Sequence, residues 1–422
     1  MNIAIISPEY PPFTNWGGVA TYNENLAKML ARAGHSVHVL TPAYGALVYE
    51  LAPEQNITIH PVHYTFGSKF FNALYYRFPC GPARYALRML FPLTFLSVEW
   101  NIFVFFEYRQ VRKETTFDVI HSPDYHFPAL LIRFLERSVP FVVDVQGSQW
   151  MFDRFEKHSV DRTVKGAIER WYVRHVAASV VACSRGIRDA MERALPEMRG
   201  RMHAIPNMID TLLYRSQSPV NIKNIVYWGR LEYRKGTDVL LRAFIRLAKS
   251  HSDIRLFLIG KDGGYFPFRG HKVSFETLLK ELKVPRKVRS RIIWYPHIDN
   301  RKFLVDLLGK VKGIAVFPSR FEPFGYVTLE AMALGYVTVA SDSIGGREII
   351  SDGVNGFLAH ATESSIEEHI SGVFRLSPVA IRRLSRQATR AAQRTYDLPV
   401  IAKTYEQLYK DMTRFKKGKP QK

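Results

Sequence analysis

Short apolar runs recur along the chain, and stretches with helical spacing separate them. In the first half these runs cover residues 2–7, 36–42, 117–121, 140–146, 179–184 and 201–206. Continuous apolar runs of about four to eight residues are typical of parallel strands that are buried on both faces. Between the first two runs, apolar residues at helical spacing from Val19 to Leu30 precede Gly34, a helix stop signal. The alternation predicts a parallel α/β sheet.

The same alternation starts again after a polar, proline-containing stretch at residues 217–221. The later apolar runs cover residues 224–229, 254–260, 291–295, 313–318 and 337–342. We therefore expect two α/β domains, at residues 1–216 and 217–395, with the polar stretch as their linker. Residues 261–272 include Gly263, Gly264 and Gly270 and predict a long loop.

Two acids follow the run at 313–318, in the segment F-P-S-R-F-E-P-F-G-Y-V-T-L-E at residues 317–330. Glu322 falls in the loop after the strand, and Glu330 falls on the next helix, which Gly335 ends. Open α/β sheets bind ligands beyond the carboxyl ends of their strands. A carboxylate only accepts hydrogen bonds, which suits a pair of sugar hydroxyls. The alternative is two solvated acids near a helix N-terminus, where the helix dipole favours negative charge.

A second loop carries Arg230 and Lys235 between the run at 224–229 and a helix predicted at 238–248. Two cations beside a helix N-terminus at a strand end favour a phosphate, although a solvated basic loop is the alternative. Gly17 and Gly18 precede the first helix. They either allow close approach of the backbone to a phosphate or form a tight turn.

Composition narrows the class of protein. The chain has 422 residues, of which 47% are hydrophobic and 23% charged, as expected for a globular protein of two or three domains. Its net charge of +21 predicts an anionic partner: nucleotide phosphates, anionic lipid or nucleic acid. Cys80 and Cys183 are too few for a disulfide framework or a zinc site and favour a reducing compartment. The start M-N-I-A-I-I-S-P predicts a strand rather than a signal peptide.

Residues 64–113 interleave aromatic and basic side chains. The most apolar part, residues 90–106, contains Pro92, Glu99 and Asn101 and falls short of the roughly 20 apolar residues that span a bilayer. Two interpretations remain open. The segment forms helices that pack on the first sheet, or it forms a basic, aromatic surface that lies on a membrane.

The motif E-P-F-G-x-x-x-L-E-A-M-A-x-G, from Glu322 to Gly335, resembles the retaining nucleotide-sugar glycosyltransferases of family four. G-R-L-x-x-x-K-G-x-D, from Gly229 to Asp238, resembles the same family. The resemblance implies a GT-B fold, with two Rossmann-like parallel-sheet domains facing a central cleft. It also implies that residues 1–216 bind the acceptor, that residues 217–395 bind the donor, and that a last helix at about 396–415 packs back on the first domain.

The resemblance also implies roles for the candidate residues. Arg230 and Lys235 would meet the donor pyrophosphate, Glu322 the transferred sugar and Glu330 the ribose. The other implied donor-binding residues are Phe324 and Gly325 from the same motif, and Gly17, Gly18 and Gln146 from the first domain. Gln146 departs from the pattern, because the family often carries His in this place. Glutamine can bond a sugar hydroxyl but cannot carry a proton charge.

The reaction implied is retaining transfer of a sugar from a nucleotide-diphosphate sugar to an acceptor hydroxyl. We expect no metal and no other cofactor, because there is no Asp-x-Asp motif and paired cations can stabilise the diphosphate. The basic charge suggests envelope glycan or lipid-linked acceptors and a cytoplasmic protein on the inner face of the membrane, without a nucleic-acid partner. The alternatives are a nucleotide-sugar epimerase of related fold, or a non-catalytic basic protein that binds membrane or nucleic acid.

Overall fold

The computed structural model describes residues 1–12, 17–43, 56–63, 89–148, 151, 159–215, 218–264, 266–296, 298 and 301–418, with side chains described up to residue 414. The chain forms two compact units. Unit 1 comprises Met1–Met208 and Leu398–Lys422, and unit 2 comprises Ile209–Asp397.

Unit 1 contains a parallel sheet of seven strands in the order β3-β2-β1-β4-β5-β6-β7. Its strands are β1 Asn2–Ile6, β2 Ser36–Pro42, β3 Ile57–Val62, β4 Val119–Pro123, β5 Phe141–Val145, β6 Ser179–Ala182 and β7 Met202–Ala204. Strands β4, β5 and β6 are buried along their whole length. This burial explains why their sequences are continuous apolar runs and not an alternation of apolar and polar residues.

The described helices of unit 1 follow their strands, as the alternation predicts. They are α1 Gly18–Arg32, α2 Pro92–Glu114, α3 Leu130–Leu135, α4 Val160–Val176, α5 Arg185–Ala194 and the last helix of the chain, α14 Leu398–Gly418. Helix α1 buries Tyr22, Leu26 and Leu30, which share one face. Ser159 and Ser184 accept hydrogen bonds from backbone N–H groups in the first turns of α4 and α5 and so stabilise these helix starts.

Helix α14 packs on α1 through buried hydroxyl groups as well as apolar contacts. The hydroxyls of Tyr22 and Tyr405 lie 2.6 Å apart, and the Tyr409 hydroxyl lies 2.8 Å from Nδ1 of His121. The other ring nitrogen of His121 lies 2.9 Å from the Asp144 carboxylate. Buried polar groups of this kind need partners, so the network fixes the position of α14 on unit 1.

Unit 2 contains a parallel sheet of six strands in the order β12-β9-β8-β13-β14-β15. Its strands are β8 Asn224–Trp228, β9 Arg255–Ile259, β12 Ile292–Tyr295, β13 Ile314–Phe317, β14 Val337–Ser341 and β15 Phe357–Ala359. Strands β10 Phe266–Phe268 and β11 His271–Val273 form a separate antiparallel hairpin. The prediction of a long loop at residues 261–272 was wrong in this part, since Arg269 and Gly270, both at positive φ, supply a tight turn.

The described helices of unit 2 range from a single turn to about five turns. They are α6 Thr237–Ser250, α7 Phe275–Glu281, α8 Arg286–Arg289, α9 Arg301–Lys310, α10 Tyr326–Ala333, α11 Ile344–Ile349, α12 Glu363–Phe374 and α13 Pro378–Tyr396. Side-chain oxygens of Ser274, Ser343, Thr362 and Ser377 cap four of these helices. Each accepts a hydrogen bond from an otherwise unpaired N–H of the first turn.

The chain passes from unit 1 to unit 2 at Met208–Ile209, ahead of the polar stretch at residues 217–221. Ile209 pairs with Asp397, the last residue of unit 2. The Asp397 carboxylate also accepts a hydrogen bond of 3.1 Å from the backbone N–H of Thr211. The start and the end of unit 2 are therefore joined to each other, which the polar composition of 217–221 does not indicate.

Of the basic, aromatic segment at 64–113, residues 64–88 lie outside the described residues. In the described part, helix α2 buries Trp100, Phe103 and Tyr108, and these aromatics belong to the core of unit 1. Phe106 and Leu96 on the same helix are exposed. Among the helices that the structure describes, none has the length and the apolar character needed to cross a membrane.

Candidate active site

Two loops of unit 2 meet because the strands before them are neighbours. Strands β8 and β13 pair in parallel, so the loops that follow, 229–236 and 318–325, leave the same edge of the sheet. Gly236 lies at φ +68°, and a Cβ atom there would lie 1.9 Å from the carbonyl oxygen of Pro318. Glycine is therefore required both for the left-handed backbone and for the close approach of the two loops.

Arg320 joins the two loops. Its guanidinium donates to both carboxylate oxygens of Asp238, at 2.7 and 2.8 Å, and lies 3.7 Å from the centre of the Tyr233 ring. Its backbone N–H donates to the carbonyl of Arg234 at 2.8 Å. A planar, bidentate arginine–carboxylate pair restricts orientation as well as distance, so the two loops have a fixed relative position.

Lys235 and Glu322, one from each loop, form an ion pair. Their side chains are 18% and 16% exposed. Burial raises the pKa of the Glu322 carboxyl, but the charges of Lys235 and Arg234 outweigh burial and hold that pKa below its ordinary value. Burial lowers the pKa of the Lys235 ammonium, and the Arg234 guanidinium lowers it further, against the opposing attraction of Glu322.

Arg230 stands at the open side of this cluster. Its side chain is 65% exposed, and its guanidinium lies 3.6 Å from the Glu232 carboxylate, which also accepts a hydrogen bond of 2.7 Å from Arg234. The cluster thus combines three cations, at positions 230, 234 and 235, with two carboxylates, at positions 232 and 322. Its excess positive charge holds the pKa of the Glu322 carboxyl below its ordinary value, whereas the lowered pKa of the Lys235 ammonium comes first from burial.

Glu330 lies on α10, and each of its oxygens accepts a hydrogen bond. The Tyr214 hydroxyl donates to Oε1 at 2.9 Å, and the Trp228 indole donates to Oε2 at 2.7 Å. Burial raises the pKa of the Glu330 carboxyl, and the two hydrogen bonds oppose this rise. A carboxylate has about four acceptor positions, so one remains on each oxygen.

Phe324 and Gly325 shape the second loop. The Phe324 side chain is buried and packs edge-to-face against the rings of Tyr326 and Tyr396, so it supports the loop from inside unit 2. Gly325 lies at φ +104° and immediately precedes α10. A residue with a Cβ atom would strain this start of the helix.

The predicted residues of unit 1 occupy two separate places in its fold. Gly17 is the N-cap of α1, and a Cβ atom there would lie 3.1 Å from a carboxylate oxygen of Glu9, whereas a Cβ on Gly18 would meet nothing within 4 Å. Gln146 follows β5, and its amide exchanges two hydrogen bonds with Asn207, at 3.0 and 2.7 Å. The Gln146 side chain is therefore held by Asn207 in this structure.

The sequence pattern did not single out four residues that hold this site together. Asp238 stands inside the motif G-R-L-x-x-x-K-G-x-D and could have been chosen from it, and Arg320 stands in the segment 317–330. Trp228 is the last residue of strand β8 and so lies at the edge of the sheet where such folds bind ligands. Tyr214 gives no signal in the sequence, since it lies outside the apolar runs and the motifs. No group of three or more His, Cys, Asp or Glu side chains that could hold a metal ion occurs among the described residues.

Comparisons with known proteins agree with this geometry. The family model described as "Glycosyltransferase Family 4" matches residues 16–212, and the model described as "Glycosyl transferases group 1" matches residues 211–393. The chain is 25% identical over 350 residues to the glycogen synthase of Mycobacterium tuberculosis, an alignment that covers 79% of this chain and 76% of that protein.

Solved structures agree at the level of the fold. Sucrose-phosphate synthase from Thermosynechococcus elongatus has a TM-score of 0.72 and 18% identity, with 98% of this chain and 99% of that chain covered. The Anabaena protein HepE, solved in complex with UDP-glucose, has a TM-score of 0.67 and 18% identity, with 97% and 99% covered. Together, the two family matches and the pair of parallel-sheet units identify the chain as a member of the family-4 glycosyltransferases, with a GT-B fold.

Proposed function

We propose that this glycosyltransferase is a retaining, metal-independent enzyme that moves a sugar from a nucleotide-diphosphate sugar to an acceptor hydroxyl. One observation carries the proposal. Arg230, Lys235 and Glu322 lie in two adjoining loops at the carboxyl ends of β8 and β13, where excess positive charge surrounds the largely buried ion pair of Lys235 and Glu322. A diphosphate is the anionic part of the donor that such a cluster would bind.

The ion pair does not exclude the phosphate. An ammonium has three donors, so Lys235 can keep one bond to Glu322 and direct another to a diphosphate oxygen. Arg230 is exposed at the side of the cluster and can add a bidentate contact. Lys235 is held by its ion pair before the reaction begins, and a preorganised cation stabilises the charge that develops on a leaving diphosphate.

Retention follows if attack and departure occur on the same face of the sugar. The acceptor oxygen bonds to the anomeric carbon while the bond from that carbon to the diphosphate oxygen breaks. The proton of the acceptor hydroxyl passes to the leaving diphosphate. This reaction uses no protein nucleophile, and the carboxylate of Glu322 acts by accepting hydrogen bonds from the transferred sugar.

The proposal is tested with nucleotide sugars and the purified protein. UDP-glucose is the first donor to examine, because HepE was solved in complex with it. A thermal-shift screen of other donors follows, since a ligand at 100 times its dissociation constant stabilises a protein by about 2.7 kcal/mol. Release of nucleoside diphosphate that depends on an acceptor, unchanged by EDTA and yielding the donor's anomeric configuration in the product, supports the whole proposal.

Three results would contradict parts of it. Loss of transfer on chelation in a folded protein would contradict the metal-independent mechanism. Conversion of the nucleotide sugar to an isomer without any acceptor would indicate an epimerase. A titration that shows no affinity for any nucleoside diphosphate would favour a non-catalytic, basic GT-B protein.

We further propose an acceptor of the envelope, either lipid-linked or a growing polysaccharide, and a peripheral position on the inner face of the membrane. The exposed side of α2 supports this part. It combines Leu96, Val98 and Phe106 with the exposed cations Arg109 and Lys113. Exposed apolar side chains next to cations are typical of proteins that lie on anionic membranes.

Vesicle sedimentation tests this attachment. The variant Phe106→Ser, Arg109→Glu, Lys113→Glu should remain folded and bind vesicles that contain anionic lipid more weakly than wild type. Each cation near the surface contributes about 1 kcal/mol, which fades within a Debye length, so raised salt should also release the wild type. Wild-type protein that ignores such vesicles at low salt would indicate a soluble acceptor.

A further inference from the structure

The hydrogen bonds to Glu330 come from residues that are themselves firmly held. The Trp228 side chain is 3% exposed and packs edge-to-face on Phe317 and at a tilt on Tyr336, with ring centres 4.8 and 5.5 Å away. Tyr214 is 4% exposed. The two donors reach different oxygens of the same carboxylate, which fixes both its position and the orientation of its plane.

We propose that Tyr214 and Trp228 are positioning residues that hold the Glu330 carboxylate ready for the two ribose hydroxyls of the donor nucleotide. This inference rests on the proposed function. Each carboxylate oxygen keeps one acceptor position after the hydrogen bonds from Tyr214 and Trp228, and a vicinal diol offers one donor to each oxygen. The two residues also favour the ionised carboxylate, which burial disfavours.

The test measures binding of UDP, ADP and GDP, and of their 2′,3′-dideoxy analogues, by calorimetry to wild type, Tyr214→Phe and Trp228→Phe. Each substitution should lower the affinity for the natural nucleotides about tenfold, the usual effect of losing a hydrogen bond to a charged group. Affinity for the dideoxy analogue should change less than about twofold. Each substitution should also move the acid-side loss of natural-nucleotide affinity to higher pH, because Glu330 loses a hydrogen bond that favours its ionised form.

Two controls separate positioning from general destabilisation. Tyr396→Phe removes another buried hydroxyl of unit 2, which donates to the carbonyl of Glu348 at 2.8 Å, and should leave nucleotide affinity unchanged. In a Glu330→Gln background, Tyr214→Phe should have little further effect, as expected for residues that act through one another.

Equal losses of affinity for the ribose nucleotides and for their dideoxy analogues would overturn the inference and leave the proposed function intact. Unchanged affinity in both variants would do the same. Failure of the wild type to bind these three or any other nucleoside diphosphate would overturn the proposed function, and the positioning role with it.

A second, independent feature is a column of arginines on α13. Arg382, Arg386, Arg390 and Arg394 repeat at every fourth position and are exposed, and Arg383 lies beside them. With Val379 and Gln387, four of these arginines line an open cavity of about 240 Å³. The column is roughly 18 Å long at 1.5 Å per residue.

The charge of this column is not balanced by its surroundings. Helix α13 contains no acidic residue, and none of its five arginines forms an ion pair within the part of the chain that the structure describes. By contrast, Arg242 and Arg246 of α6 pair with carboxylates of α12. Like charges at every fourth position destabilise a helix, so the column is maintained against a local electrostatic cost.

The opposite face of α13 is firmly attached to unit 2. Ile381, Leu384 and Ala388 are buried, and the hydroxyls of Ser385 and Thr389 donate to the carbonyls of Gly335 and Met332. The helix therefore cannot turn its arginines inward. The exposed face carries no aromatic residue for stacking on unpaired bases, and its only large apolar side chain is Val379.

We propose that the arginine column of α13 docks on the surface of an anionic lipid bilayer. An extended, exposed row of cations complements a flat anionic surface, and the lack of apolar side chains predicts electrostatic contact without insertion. Each arginine should contribute about fivefold to the partition coefficient at low salt.

Sedimentation with vesicles tests the column directly. The variant Arg386→Glu, Arg390→Glu, Arg394→Glu should bind vesicles of phosphatidylcholine with 30 mol% phosphatidylglycerol at least about 100-fold more weakly than wild type. The matched control Lys283→Glu, Lys287→Glu, Arg289→Glu changes three exposed cations of the same unit by the same total charge. The control should lose far less of its affinity for these vesicles. Vesicles of phosphatidylcholine alone should bind neither wild type nor the two variants.

Equal losses in the two variants would mean that net charge, not the column, attracts the membrane. No loss in the column variant would mean that another surface makes the contact, and no binding by wild type would exclude the bilayer as partner. Duplex DNA that displaces wild type from the vesicles, with an affinity that depends on the column, would assign the surface to nucleic acid instead.

Discussion

Lys235→Ala is the substitution for which the structure makes the sharpest prediction. It removes one cation of the cluster and leaves the Glu322 carboxylate, 16% exposed, without its ion-pair partner. Arg234 still acts on Glu322, but burial then has less opposition. The substitution therefore weakens stabilisation of the diphosphate and raises the pKa of Glu322 at the same time.

The expected magnitude follows from these two effects. Loss of one preorganised donor to a developing negative charge lowers turnover about 10²- to 10³-fold. In wild type the pKa of Glu322 is lowered, so its contribution to stability is present above the ordinary carboxylate range and is lost as pH falls through the lowered pKa. In Lys235→Ala the acid limb of the pH dependence of kcat/KM should move to higher pH, because the higher pKa of Glu322 means that its carboxyl ionises only at higher pH.

The assay compares kcat/KM across pH for wild type, Lys235→Ala and the control Lys223→Ala. Lys223 also forms an ion pair, with Asp253 at 3.1 Å, but both side chains are exposed at the surface of unit 2. The control should stay within about twofold of wild type, as exposed pairs contribute little. Turnover of Lys235→Ala within about threefold of wild type, or an unmoved acid limb, would refute the reasoning.

Three further predictions concern unit 1. Burial, and then the Glu169 charge, raises the pKa of Asp124 to about 8, so wild type should lose about 1.4 kcal/mol of unfolding free energy per pH unit as pH rises toward 8. Urea denaturation should show that the unfolding free energy of Asp124→Asn depends less on pH, and an equal pH dependence in the two proteins would contradict this. Tyr409→Phe leaves Nδ1 of the buried His121 without its hydroxyl partner and should destabilise the protein by about 1–3 kcal/mol, whereas a neutral result in denaturant titration would mean that the network does not hold α14. Gln146→His should change the ranking of donor sugars in competition assays more than the affinity for free nucleoside diphosphate, and an equal change for every donor would reduce Gln146 to a support of its loop.

The alternation of apolar runs and helical stretches correctly predicts most strands of both sheets. It fails where the pattern is weak. Strand β3 is not predicted because only its last residue, Val62, is buried, so its sequence resembles an exposed segment. The hairpin β10–β11 resembles a loop in sequence because each strand is three residues long and mostly polar or exposed.

The candidate site divides in the same way. Sequence alone determined that Arg230, Lys235, Glu322 and Glu330 follow strands of one sheet, because their spacing from buried apolar runs sets their place at the carboxyl edge. Only the tertiary structure decided what each of them touches. Lys235 and Glu322 are 87 residues apart, and Glu330 receives its hydrogen bonds from residues 116 and 102 positions earlier. Such pairings depend on the order of strands in the sheet and on side-chain packing, and no local pattern of residues encodes a partner at that distance.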